Sequence, residues 1–261
     1  MADNNSPNSG VQAVAQALLR ARETRQPAAS APYADALPDA QAAYQVQEHV
    51  ARTLQQGHAG AWSFWKSGGP SREVPLTHAP LPQRNVWNSP ADASTHPFGH
   101  RIVEGEVAFR LREAVTAQQA AGLTHEQAKR LVGEIAVTIE VVDFRWAEAG
   151  SAPALLKLAD LGSHGALVVG TWRPFEDRDW STQQCHVRIG SAAPRSFTGT
   201  HTLKDPTWLL PGWLKHATGD GGTVPAGTVV TTGTWCGMLH AKEGDLVHVT
   251  FDGIGEASVQ L

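Results

Sequence analysis

Arg101–Arg112, RIVEGEVAFRLR, carries two carboxylates, Glu104 and Glu106, on either side of one glycine. The neighbours Ile102, Val103, Val107 and Phe109 are branched or aromatic and favour an extended chain. In a strand, residues i and i+2 share a face, so both carboxylates project side by side. Adjacent anions repel unless a positive charge lies between them, and a hard divalent cation is the usual solution. Gly105 leaves the opposite face bare, so backbone or ligand can come close there. A Glu-x-Glu pair on a solvated strand edge is common, and alone it does not define a metal site.

A third carboxylate changes the balance. Val132–Trp146, VGEIAVTIEVVDFRW, places Glu140 inside a run of apolar and β-branched residues. An unpaired buried carboxylate is costly, so Glu140 needs a cationic partner. Arg145 or Arg101 could fill that role in a structural ion pair. A metal shared with Glu104 and Glu106 would fill it too, and is the reading preferred here.

A chain of 261 residues suffices for one large domain or two small ones. A net charge of −4 with scattered basic residues leaves no electrostatic footprint for nucleic acid. Cys185 and Cys236 are far apart in no ligand-like spacing, which suits two free thiols in a reducing compartment. Met1–Gly10 lacks the apolar core of a signal peptide, and no apolar run has bilayer length. A cytoplasmic protein with no membrane partner is expected. Among nine tryptophans, Trp62, Trp65 and Trp87 fall near the proposed chemistry, with core packing as the alternative for each.

Val11–Arg25 and Asp39–Gln56 have helical spacing, with Gly57 and Gly60 ending the second. They define an N-terminal helical region over residues 1–60, either a subdomain or an arm onto a partner subunit. Residues 61–261 read as a β-rich catalytic domain. There the short strand Ala61–Trp65 delivers Lys66 into a Ser-Gly-Gly turn. A lysine so placed is ordinarily solvated, but Trp62, Phe64 and Trp65 could desolvate it and lower its pKa. Proline-rich Val74–His100 reads as a lid or binding loop, with disorder as the alternative. Thr124 with Gln127 forms a capping-box pattern, and Asp205-Pro206 opens a helix to Ala217. Pro153–Leu161 is a short helix. Cys185–Ile189 and Arg195–Gly199 form a hairpin. Val229–Thr232, Leu246–Phe251 and Ala257–Leu261 close the chain as strands. Helices preceding a β-rich remainder predict an α+β fold. No P-loop, dinucleotide fingerprint, Gly-x-Ser-x-Gly elbow or His-rich metal motif occurs.

The ordered segments Ala43-Tyr44-Gln45-Val46-Gln47, Lys66-Ser67-Gly68, Glu104-Gly105-Glu106-Val107-Ala108-Phe109, Ile139-Glu140-Val141-Val142-Asp143, Ala159-Asp160, Pro225–Thr234 and Gly253-Ile254-Gly255 resemble a known family. It is the 2-keto-4-pentenoate hydratase and oxalocrotonate decarboxylase branch of the fumarylacetoacetate hydrolase superfamily. The resemblance implies a mixed β-sheet roll with an N-terminal helical region, assembled as a homo-oligomer that can associate with a decarboxylase or hydratase relative. It implies Mg²⁺ or Mn²⁺ held by Glu104, Glu106 and Glu140, with Lys66 in proton transfer. Asp160 and Thr234 fall where the family lines its pocket. Arg72 is a candidate partner for the substrate carboxylate, or an ordinary surface arginine; His78 and His164 are candidate helpers with structural roles as the alternative. The implied activity is a metal-dependent lyase hydrating a 2-hydroxy-2,4-dienoate to a 4-hydroxy-2-keto acid. Rivals are 4-oxalocrotonate-type decarboxylation, acylpyruvate carbon–carbon hydrolysis and a non-catalytic partner subunit. The hydrolase needs a Glu–His pair from an N-terminal segment, and no convincing one is found. Two departures stand out: no acid lies in His78–Val86, and Leu161 replaces a frequent asparagine.

Overall fold

Ile102–Leu111 forms a central strand of a nine-stranded mixed sheet in a computed structural model that describes residues 7–55, 60–219 and 221–261. Its two-residue period sends Val103, Val107 and Phe109 into the main apolar core and Glu104 and Glu106 to the other face. Val132–Val142 runs antiparallel to it, with Glu104 opposite Glu140 and Glu106 opposite Thr138. His164–Val169 and then Val86–Asn88 continue the sheet on that side. On the other side come Val229–Thr231, Phe64–Gly68 and Thr77–Pro80. Leu81, just past one end of the sheet, packs in one cluster with Leu167 and Val169 near the other. The sheet is therefore rolled, and its glutamates face the inside of the roll.

A five-stranded sheet, ordered Arg195–Thr198, Gln184–Ile189, Leu246–Phe251, Gly255–Gln260 and Ala91–Asp92, packs against the outside. Gly105 is what lets it seat there. A Cβ on this residue would lie 3.0 Å from Val249 Cγ1 and 3.5 and 3.6 Å from the thiols of Cys185 and Cys236. Its backbone is also engaged: the Gly105 N–H donates to Cys236 Sγ (3.1 Å), and the Trp235 N–H donates to the Gly105 carbonyl (2.9 Å).

Helices Pro7–Thr24 and Ala40–Leu54 pack on each other, and the second also rests on the short helix Ala154–Ala159. Asp39 caps the second helix by accepting from the Ala42 N–H (2.9 Å). Gln47 ties it to the β-rich part of the chain by donating to the buried Leu158 carbonyl (2.5 Å). Val14, Leu18, Val46 and Val50 belong to the same apolar core as Val103 and Ile139. Gly57, expected to help end this helix, lies outside the described residues. No helix among the described residues is long and apolar enough to cross a membrane.

The capping box at Thr124, the Asp205 cap and the Gln184–Thr198 hairpin all form. Two readings change. Val74–His100 holds three short strands, Thr77–Pro80, Val86–Asn88 and Ala91–Asp92, each at the end of a sheet path. Proline is tolerated at such edges because a missing N–H breaks no interior ladder. Lys66 sits in the middle of a strand, Phe64–Gly68, rather than past its end, because Phe64, Trp65 and Lys66 pair in parallel with Val229, Val230 and Thr231.

Gly105→Ala should destabilise the protein by about 1–3 kcal/mol through overpacking between the sheets. A lowered urea midpoint with an unchanged m-value would show this; an unchanged midpoint would mean that the sheets have room to part.

Candidate active site

Strand register assembles the site. Glu104 and Glu140 face each other across one ladder, Glu106 lies two residues along, and Lys66 enters from the strand paired with Val229–Thr231. One carboxylate oxygen from each of Glu104, Glu106 and Glu140 lies within 4.8 Å of the other two. Lys66 Nζ donates to Glu140 Oε1 (2.6 Å) and to the Gly162 carbonyl (3.1 Å). His164 Nδ1 reaches the same Oε1 at 3.1 Å. Glu140 Oε2 is buried with no hydrogen-bond partner among the described residues. Thr231 donates its hydroxyl to Glu106 Oε2 and lies 2.9 Å from the Thr138 hydroxyl, which fixes the second carboxylate.

The cation expected beside Glu140 is thus Lys66, not Arg145 or Arg101. Arg145 is spent on Asp160 (2.8 Å), and Arg101 lies 3.7 Å from Glu243. Separated from Glu140 by 74 positions, Lys66 meets it only through the sheet.

Burial, reinforced by the crowding of charge, governs protonation. Burial first, then Glu140, with Lys66 opposing, push Glu104 up to about 7. Burial, then Glu140 and Glu104, push Glu106 up to about 8. Burial alone would raise Glu140 as well, but Lys66 and His164 outweigh it and hold Glu140 below its ordinary value. Burial alone would lower Lys66, but Glu140, Glu104 and Glu106 together outweigh it and raise the amine. The expected depression of Lys66 is therefore reversed, and the side chain is a firmly protonated ammonium.

A cavity of about 260 Å³ opens onto Lys66, Glu104 and Glu106, its wall also including Thr77, Thr202 and Thr234; Glu140 and His164 are not among its lining residues. That volume is below the usual range for drug-sized ligands and suits a small metabolite. Thr234 is on the wall. Asp160 and Arg72 are not. Asp160 is fully buried and bonded to both Arg145 and Arg22 (2.8 Å each). Arg72 donates to the Leu203 carbonyl (2.6 Å) and stacks 4.3 Å from the Trp208 ring centroid. His78 also lines the cavity, bonded to Ser67 Oγ (2.8 Å) and stacked on His216 (4.7 Å), and burial lowers it to about 3, so it is neutral. Trp62, Trp65 and Trp87 pack elsewhere, against Glu48, His216 and His96. Thr231 and the Gly162 carbonyl carry no local sequence signal for the site. Only the pairing of Val229–Thr231 with Phe64–Lys66 could have exposed the threonine.

A small-molecule site built from carboxylates and one ammonium inside a rolled mixed sheet defines an α+β enzyme-like class. Within it, the chain belongs to the fumarylacetoacetate (FAA) hydrolase C-terminal family, whose model matches residues 49–261. Similar solved structures include 4-oxalocrotonate decarboxylase from Pseudomonas putida G7 complexed with calcium and acetate, at 18% identity and TM-score 0.80 over 97% of both chains. The same enzyme with magnesium and adipate gives 18% identity and TM-score 0.81 over 96% of both. A 5-carboxymethyl-2-hydroxymuconate delta-isomerase from Mycobacterium smegmatis is more distant, with 16% identity and TM-score 0.55 over 77% of this chain and 78% of that one. No curated protein sequence matches.

The raised carboxylates carry a signed prediction. A group whose folded pKa lies above its unfolded value keeps a proton that the unfolded chain has already lost. Metal-free stability therefore falls as pH climbs from the ordinary value of 4.5 toward about 8. Glu106→Gln should raise the metal-free melting temperature at pH 8 and give little or no gain at pH 5. A gain of equal size at both pH values would show that ionisation of Glu106 in the folded protein is not the cause.

Proposed function

We propose that this protein is a divalent-cation-dependent lyase acting on a small 2-keto acid through its enolate. The convergence of Glu104, Glu106 and Glu140 within 4.8 Å, opposite Lys66, carries the reading. The residues suit a hard cation, because they are oxygen donors and one of them, Glu140, keeps a buried oxygen unpaired. Mg²⁺ or Mn²⁺ held there would supply the positive charge that lets the C2 oxygen of the substrate bear enolate charge.

Lys66 is the proton carrier. Its ammonium, paired with Glu140, gives a proton to the far carbon of a 2-hydroxy-2,4-dienoate, and the 2-hydroxyl proton replaces it. Water then adds at C4, and the product is a 4-hydroxy-2-keto acid. Pocket composition favours this hydration: Lys66 is the one lysine or arginine among the described wall residues, and Arg72 is committed to Leu203 and Trp208. Beyond Lys66 the wall offers a second substrate carboxylate no counter-charge: His78 is there but neutral, and the Thr77 and Thr202 hydroxyls donate to the Gly68 and Gly69 carbonyls.

A second reading is decarboxylation of a 4-oxalocrotonate-type diacid, in which the same dienolate arises by loss of CO₂. It is favoured by the likeness to the oxalocrotonate decarboxylase over 96–97% of both chains.

Incubation of the protein and Mg²⁺ with 2-hydroxypenta-2,4-dienoate should consume the dienol absorbance, and EDTA should stop it. Oxalocrotonate run in parallel should release little CO₂; faster release of CO₂ than loss of dienol would reverse the order of the two readings. Lys66→Ala should lower kcat by about 10²- to 10⁴-fold, and an unchanged rate would remove Lys66 from the mechanism.

A further inference from the structure

We infer that His164 is a positioning residue that determines which oxygen of Glu140 is offered to a divalent cation; the inference rests on the cation site proposed above. Glu140 Oε1 takes two donors, Lys66 Nζ at 2.6 Å and His164 Nδ1 at 3.1 Å. A carboxylate oxygen can only accept, so Nδ1 is the protonated ring nitrogen. Oε2 is left buried and without a partner. Of the two oxygens it is the one with coordination to give.

The two donors differ in rigidity. Lys66 hangs on a four-carbon stem whose ammonium is divided between Glu140 and the Gly162 carbonyl. His164 is 1% exposed and follows three successive left-handed residues, Leu161 (φ 54°), Gly162 (φ 61°) and Ser163 (φ 63°). Two of these are not glycine, so the surroundings must impose the shape. Asp160 anchors the turn from behind through Arg145 and Arg22. The same turn presents the Gly162 carbonyl to Lys66 and the imidazole to Glu140. Outer groups that orient a ligand typically change metal affinity by about 10- to 100-fold when removed.

The test is calorimetric titration of the full-length protein with Mn²⁺ at one pH. Asparagine places an amide N–H where Nδ1–H lies, whereas glutamine carries its donor one carbon further out. His164→Asn should bind Mn²⁺ close to the wild-type affinity, and His164→Gln should bind about tenfold more weakly or worse. Lys66→Met, which leaves His164 as the remaining donor on Oε1, should retain the wild-type affinity or exceed it. Equal affinities in wild type, His164→Asn and His164→Gln would overturn the inference. So would His164→Asn as weak as His164→Gln, or a loss in Lys66→Met as large as any in the histidine variants. Should His164→Gln not fold, the asparagine and methionine variants decide on the same terms. Wild-type protein that takes up no Mn²⁺ would overturn the cation site itself, a result distinct from failure of the histidine series.

Discussion

A carboxylate at the centre of a β-sheet, with no solvent to spread its charge, must be offset locally or it will take up a proton. Glu140 meets this constraint with Lys66 and His164 on one oxygen, and two further carboxylates beside it sharpen the demand. Three acids and one ammonium leave the cluster short of positive charge. The cluster answers partly by protonation, with Glu104 pushed to about 7 and Glu106 to about 8. A divalent cation would answer it fully, and the proposed chemistry needs that ion in the same place. Structural imbalance and catalytic demand have one solution.

The scaffold makes this arrangement rigid. Both acidic strands are long, Ile102–Leu111 and Val132–Val142, and their register sets Glu104 directly against Glu140. On the reverse of the same strands, Val107, Phe109, Ile135 and Ile139 anchor the sheet in the main core. A slip of one residue would bury the acids in that core and expose the branched side chains, so register is strongly specified. Gly105 contributes by absence: the second sheet seats where its side chain would have been. Threonine hydroxyls from Thr138 and Thr231 then fix Glu106 without adding charge.

Much of this was legible in the sequence because strand periodicity is a local property. Glu104 and Glu106 were readable as neighbours from their spacing, and Glu140 as a buried acid from its apolar flanks. Thr234 was placed at the pocket only by family resemblance, and it lies on the wall. What stayed hidden depended on which strands pair. Lys66 was legible as a candidate acid–base group, but not as the partner of Glu140, since that contact spans the parallel pairing with Val229–Thr231. The direction of its pKa was misread for the same reason: flanking aromatic residues were visible, the facing acids were not. Asp160 was drawn to the pocket by resemblance, while a distant pair of arginines, one on the first helix, holds it behind the His164 turn.

The most direct measurement is the anomalous difference map of crystals soaked in Mn²⁺. The account predicts one strong peak with an oxygen of Glu104, Glu106 and Glu140 each at about 2.0–2.2 Å, the range of small hard divalent ions with carboxylate ligands. An empty map at this position, with the Lys66–Glu140 pair intact and the manganese bound elsewhere, would contradict it.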